Sequence, residues 1–126
     1  MKGISDVMQN KIDFVNTPVV DVVNGIIIAA AKAGASDIHF DHQEHSLKVR
    51  IRIDGILNDY ADIPNEVKNN VITRIKILSG MNITETRLPQ DGAIKTNLGG
   101  MDLDMRVSSL PTKKGEKIVI RILDYS

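Results

Sequence analysis

The chain has no cysteine and no tryptophan, and among its 126 residues only two are tyrosine and two phenylalanine. Without cysteine there are no disulfide staples and no thiolate metal sites, so the core alone must hold the fold, and a reducing compartment is permitted. So few aromatics leave little with which to stack bases, as single-strand binders do. A surplus of one charge is also missing, because 16 basic residues balance 16 acidic ones. Neutralising a phosphate backbone normally leaves a basic excess, so nucleic acid is disfavoured as a partner. Long apolar runs are missing too. The most apolar stretch, Val22 to Ala31, has about half the length a bilayer-spanning helix needs, and Asp21 and Lys32 bound it. The opening MKGISDVMQNK lacks the apolar run of a signal peptide. Together these absences predict no direct membrane insertion and permit a cytoplasmic location. No Gly-rich phosphate loop of the Walker type, dinucleotide fingerprint, nucleophile elbow or metalloprotease helix occurs. No catalytic residue is therefore expected in these residues, and no cofactor is required by them alone.

What is present is the pattern of one small domain. Residues 1–16 are polar and read as a lead-in or linker. Thr17-Pro18 predicts a helix start, with a hydroxyl N-cap and proline at the first helical position. Val19, Val22, Val23, Ile26, Ile27 and Ala30 then form one apolar face, and Gly34 stops the helix. Ser36 to Asp41 predicts a short strand with Ile38 and Phe40 inward. Leu47 to Ile53 alternates strictly, which is the strongest strand signal in the chain. Asp54-Gly55 predicts a hairpin turn into a return strand, Ile56 to Ile63. Pro64-Asn65 opens a second helix with Val67, Val71, Ile75 and Leu78 on one side, closed at Gly80. Residues 83–91 read as irregular, with turns at Pro89 and at Asp91-Gly92. Three strands follow: Ala93 to Leu98, Met101 to Ser109 after a Gly99-Gly100 turn, and Glu116 to Leu123. The expectation is an α+β fold, an antiparallel sheet of about five to six strands with two main helices on one face.

His39, His42 and His45 are evenly spaced, with Asp37 and Asp41 on the strand face of His39. Residues three apart do not share a strand face, so the expectation is a solvated strand end and no metal site. The arginines are the stronger candidates. Arg50 and Arg52 lie on the polar face of one strand. If the last two strands pair through the 110–115 loop, Arg106 and Arg121 share a sheet face. Two guanidiniums held on a sheet suit a polyphosphate, because each presents a rigid donor fork and stays charged. The plainer reading is cross-strand ion pairing with Asp102, Asp104 or Glu116.

Five stretches in order carry a resemblance: TPVVDVVNGII, GASDIHF, VRIRIDGIL, TRIKILSGMNITETRLPQDGAI and DMRVSSLPTKKGEKIVIRILD. From about Thr17 to Asp124 the chain resembles the second N-terminal, PAS-like domain of the secretion ATPases, the motors of type II secretion and type IV pilus assembly. The resemblance implies a PAS-like domain over 17–124 and a RecA-like motor domain that this sequence does not include. It implies ATP and magnesium as the parent's substrate and cofactor. It also implies a hexameric parent at the inner face of the cytoplasmic membrane, working with neighbouring subunits and an inner-membrane platform. In that family the N-domain closes over nucleotide, and arginines from it contact the phosphates. Arg106 and Arg121 match those positions, Arg50, Arg52 and Arg87 are secondary candidates, and Arg87, Gln90 and Asp91 are expected to organise a loop at the domain boundary. Ala93 stands where the family often has a basic residue, and Phe40-Asp41-His42 replaces an acidic residue and proline. The RLPQDG and LPTKKGEK stretches resemble assembly and secretion motors more than retraction motors. The alternative from fold alone is a free-standing PAS-like ligand-binding module, which an in-frame Walker motif beyond Ser126 would exclude.

Overall fold

The computed structural model describes residues 13–125. Of the lead-in read over residues 1–16, residues 1–12 lie outside them. The elements in chain order are α1 (Val19–Lys32), β1 (Asp37–His42), β2 (Ser46–Ile53), β3 (Ile56–Pro64), α2 (Asn65–Leu78), β4 (Gln90–Leu98), β5 (Met101–Thr112) and β6 (Gly115–Tyr125). All six strands form one sheet in the order β3-β2-β1-β6-β5-β4, and every pairing is antiparallel. Two meanders build it. The first steps outward from β1 to β3, α2 crosses to the far edge, and the second steps inward from β4 to β6. The first and last strands therefore meet at the centre, where Asp37 pairs with Arg121 and Phe40 with Ile118.

Alternation decides the faces. Ile38 and Phe40 of β1, Leu47, Val49 and Ile51 of β2, Met105 and Val107 of β5, and Ile118 and Ile120 of β6 are buried in one core cluster. Val22, Val23, Ile26, Ile27, Ala30 and Ala31 of α1, with Val71, Ile72 and Ile75 of α2, complete it. Each such aliphatic side chain contributes about 1.5–3 kcal/mol when fully buried, so this shared cluster is what joins the two meanders into one body. Phe14 packs partly buried against the same cluster.

Three local expectations change. The first helix begins one residue later than Thr17-Pro18 implies. Pro18 itself is the cap, at φ −54° and ψ 139°, with no side-chain capping bond. Its carbonyl accepts from Asp21 N at 2.9 Å and Val22 N at 3.1 Å. Thr17 is held by the preceding turn instead, donating its N–H to the Asp13 carbonyl at 2.9 Å. The second change is at Asp91-Gly92, which lies inside β4 and not in a turn. A Cβ at Gly92 would sit 2.3 Å from the Ser79 carbonyl oxygen, so glycine is there for the close approach of α2's end and not for a bend. The third is that the β5–β6 hairpin is longer than its alternation predicts, running to a turn at Lys113-Lys114. Elsewhere the punctuation acts as expected. Asp54 and Gly55 take φ of 51° and 80° in a two-residue hairpin turn. Both helices end in paired backbone bonds, Ala35 N to Ala30 O at 3.0 Å and Met81 N to Lys76 O at 2.9 Å.

Candidate functional site: a row of arginines on the open sheet face

The sheet face away from the core carries the charges. Strand alternation places Asp37, His39 and Asp41 there from β1, Lys48, Arg50 and Arg52 from β2, Lys117, Val119 and Arg121 from β6, and Arg106 from β5. Register then aligns one row across all six strands. Ala93 pairs with Arg106, Arg106 with Arg121, Arg121 with Asp37, Asp37 with Arg52 and Arg52 with Leu57. Three arginines and one carboxylate thus lie in line, with Arg106 and Arg121 directly opposite each other.

Their partners differ. Arg121 donates from Nε to Asp37 Oδ1 at 3.0 Å, while its side chain stays 68% exposed and that of Asp37 only 7%. Ser36 Oγ donates to Asp37 Oδ2 at 2.9 Å, and Arg52 Nε lies 3.5 Å from the same oxygen. Arg52 also donates from Nη1 to the Gly55 carbonyl at 3.0 Å. Burial alone would raise the Asp37 carboxyl's pKa, but bonds from Arg121 and Ser36 and the Arg121 charge outweigh it and hold it below 3.8. A second carboxylate repeats the arrangement. Asp41 Oδ2 accepts from Arg50 Nη2 at 2.6 Å and Nε at 3.1 Å, and Asp41 Oδ1 lies 3.2 Å from Lys117 Nζ. Asp41 is also held below its ordinary value, because these cations outweigh the burial that would raise it. Arg50 is therefore committed to Asp41. Among the described residues no ion pair or side-chain hydrogen bond engages Arg106. It borders a shallow hollow of about 430 Å³ with Asp91, Gly92, Ala93, Val107 and Ser108.

The ion-pairing reading for Arg106 and Arg121 takes a different form from the one expected. Asp102 accepts from Asn97 Nδ2 at 2.8 Å, Asp104 Oδ1 is buried without a partner among the described residues, and Glu116 pairs with Lys76 on the opposite face. The carboxylate that meets Arg121 is Asp37, which is 84 residues away in sequence. No spacing rule reaches that far, and only the β1–β6 pairing brings the two together. Arg87 is exposed in the loop between α2 and β4 and belongs to no strand of the row. Gln90 is what braces that loop: it accepts from Asn82 N at 2.9 Å and donates to the carbonyls of Asn82 at 3.0 Å and Glu85 at 3.2 Å. Asp91 instead accepts from Ser108 Oγ at 3.2 Å.

The three histidines part company. His45 is exposed, while His39 and His42 are partly buried, each with an Nδ1 that has no hydrogen-bond partner among the described residues. Burial and the Lys117 charge lower His39 below its ordinary 6.5, against partial compensation from Asp41 and Asp37. Burial and the Lys68 charge lower His42, which the Glu116 backbone and charge offset in part. Among the described residues no three histidine or acidic side chains converge as a metal site, and none of the described helices is long and apolar enough to cross a membrane.

Two lysines escaped the sequence reading. Lys76 is 1% exposed and Lys68 7%. Lys76 Nζ lies 2.6 Å from Glu116 Oε1 and donates to the Glu85 carbonyl at 2.8 Å, and Lys68 Nζ donates to the Gln43 carbonyl at 2.9 Å. Their signal was the spacing Lys68, Ile72, Lys76, which continues one helical stripe.

Comparison with known proteins places this architecture. The family described as "Type II/IV secretion system protein" matches residues 14–126. The chain is 46% identical over 112 residues to the type IV pilus assembly ATPase PilB of Myxococcus xanthus, covering 88% of this chain and 20% of that one. It is 48% identical over 107 residues to the type II secretion system protein E of Xanthomonas campestris, 85% of this chain and 19% of that one. Against the type II secretion system ATPase E of Vibrio cholerae the identity is 35% over 119 residues, 94% of this chain and 23% of that one. A crystal structure of the pilus retraction motor PilT with bound ADP aligns with TM-score 0.50 at 16% identity, over 80% of this chain and 29% of that one, a likeness of fold alone. The chain belongs to the type II/IV secretion system protein family, as an α+β domain spanning about a fifth of the length of the curated relatives it matches.

Proposed function

We propose that this chain is the N-terminal domain of a hexameric ATPase that powers type IV pilus assembly or type II protein secretion, and that it closes over ATP held by the parent's RecA-like motor domain. The observation that carries this reading is the direct register of Arg106 against Arg121. Like charges facing each other across an antiparallel pair destabilise it, so a sheet that keeps two guanidiniums there gains from an anion that lies between them. A terminal di- or triphosphate is such an anion, and Arg matches its oxygens with parallel N–H donors. Arg106, exposed and beside the Ala93 hollow, reaches one side of the phosphate chain, and Arg121 reaches the other. Both offset negative charge on the β- and γ-phosphates as the bond to the leaving group lengthens.

The chain's part is confined to those phosphate oxygens, and the magnesium that accompanies ATP is held outside the described residues. Closure completes the site only with nucleotide present, which couples hydrolysis to rotation of this domain against the motor domain or a neighbouring subunit. The parent works in the cytoplasm, against the inner-membrane platform of its machinery.

The test is turnover by the full-length parent. Arg106→Ala and Arg121→Ala should each lower kcat by about a hundredfold with the domain still folded, because both side chains lie on the solvent side of the sheet. Full turnover by both variants would overturn the reading, as would robust ATP hydrolysis by the 126-residue chain alone.

A further inference from the structure

Asp37 is the one carboxylate in the row that carries Arg106, Arg121 and Arg52, and its geometry is selective. It takes a single donor of Arg121, the Nε–H, at 3.0 Å. A guanidinium has five N–H donors, so the Nη1 and Nη2 amino groups are left for another acceptor. The carboxylate is itself fixed from its other side by Ser36 Oγ at 2.9 Å and Arg52 Nε at 3.5 Å. Its side chain is 7% exposed while that of Arg121 is 68% exposed, so a rigid, buried anchor carries a projecting fork.

From this geometry we infer that Asp37 is a positioning residue, which holds Arg121 by its Nε so that the terminal amino groups face the phosphates of the bound nucleotide. The inference rests on the phosphate-contact reading of Arg121. Two physical effects follow from the anchor. Fixing Nε removes much of the side chain's rotamer freedom before the ligand arrives. The carboxylate, on the far side of Arg121 from Arg106, also offsets part of the Arg121 charge and so lessens the repulsion across the strand pair. Arg50 shows the contrasting arrangement. It gives both Nε and Nη2 to the same oxygen of Asp41, and so commits more of its donors to its carboxylate than Arg121 does.

A double-mutant cycle in the full-length parent tests this. Asp37→Asn keeps the shape and removes the charge. It should lower kcat by between about tenfold and a hundredfold, and in the Arg121→Ala background it should lower kcat no further. A purely structural Asp37 would instead lower activity by the same factor in both backgrounds. That outcome overturns the inference and leaves the phosphate contact standing. Unchanged turnover of the Asp37→Asn enzyme also overturns it. Full activity of the Arg121→Ala enzyme removes the phosphate contact and the inference with it. A second readout uses this chain without nucleotide: the Arg121 Nε–H resonance in a 15N spectrum should be protected from solvent exchange in the wild type and lose that protection in Asp37→Asn. Equal exchange in both proteins would contradict an anchored Nε.

Discussion

Glu116→Leu leaves the Lys76 ammonium buried without its counter-charge. In the native fold the two are 2.6 Å apart with side chains 2% and 9% exposed, and Lys76 makes one further bond, to the Glu85 carbonyl at 2.8 Å. Removing one partner of such a pair strands a charge and costs about 3–5 kcal/mol, a large part of the roughly 5–15 kcal/mol that holds a domain together. Replacing both partners by apolar side chains of similar volume removes the stranded charge. The Lys76→Met/Glu116→Leu protein should therefore regain wild-type stability to within about 1 kcal/mol, or exceed it. Urea unfolding followed by circular dichroism gives each free energy, and unchanged m-values would confirm that the folded and unfolded states are comparable. The pair also ties α2 and the Asn82–Gln90 loop to the start of β6, so the single variant should speed amide exchange in that loop. A Glu116→Leu cost below about 1 kcal/mol, or a double variant as unstable as the two single costs added, would refute the reasoning.

Phe40→Ala, at a fully buried position between α1 and the sheet centre, should cost about 3–5 kcal/mol in the same urea assay. Gly92→Ala should cost about 1–3 kcal/mol, because its Cβ would meet the Ser79 backbone oxygen at 2.3 Å and a carbonyl at a helix end cannot move aside as a flexible side chain can. Acid should destabilise the fold in two windows. His39 and His42 have folded pKa values below 6.5, so their contribution is present above 6.5 and is lost as pH falls through the folded values. Asp37 and Asp41 lie below 3.8, so theirs is present above 3.8 and is lost below it. Urea midpoints measured from neutral to acid pH should fall in both windows, and Asp37→Asn should flatten the lower one.

The alternation of Leu47 to Ile53, the helical faces of α1 and α2, and the Asp54-Gly55 turn were legible because each is a local pattern with one physical cause. That Arg106 and Arg121 share a sheet face was legible from the same alternation, whereas their direct opposition needed the register of the longer hairpin. Asp37 was not legible as the partner of Arg121, because the chain closes β1 onto β6 only after both meanders are built. Lys68 and Lys76 gave no signal by residue type, because only the fold shows their aliphatic stems on the apolar stripe and their ammonium groups on carbonyls and a carboxylate inside. Gly92 reads as a turn residue beside aspartate, and only the approach of Ser79 shows why it stands in a strand.

The most direct test of the central claim is a structure of the full-length parent with a non-hydrolysable ATP analogue and magnesium. The account predicts the terminal phosphates between Arg106 and Arg121, with Nη1 and Nη2 of Arg121 on phosphate oxygens and its Nε still on Asp37. Nucleotide bound in the motor domain with both guanidiniums turned to solvent in every subunit would contradict it.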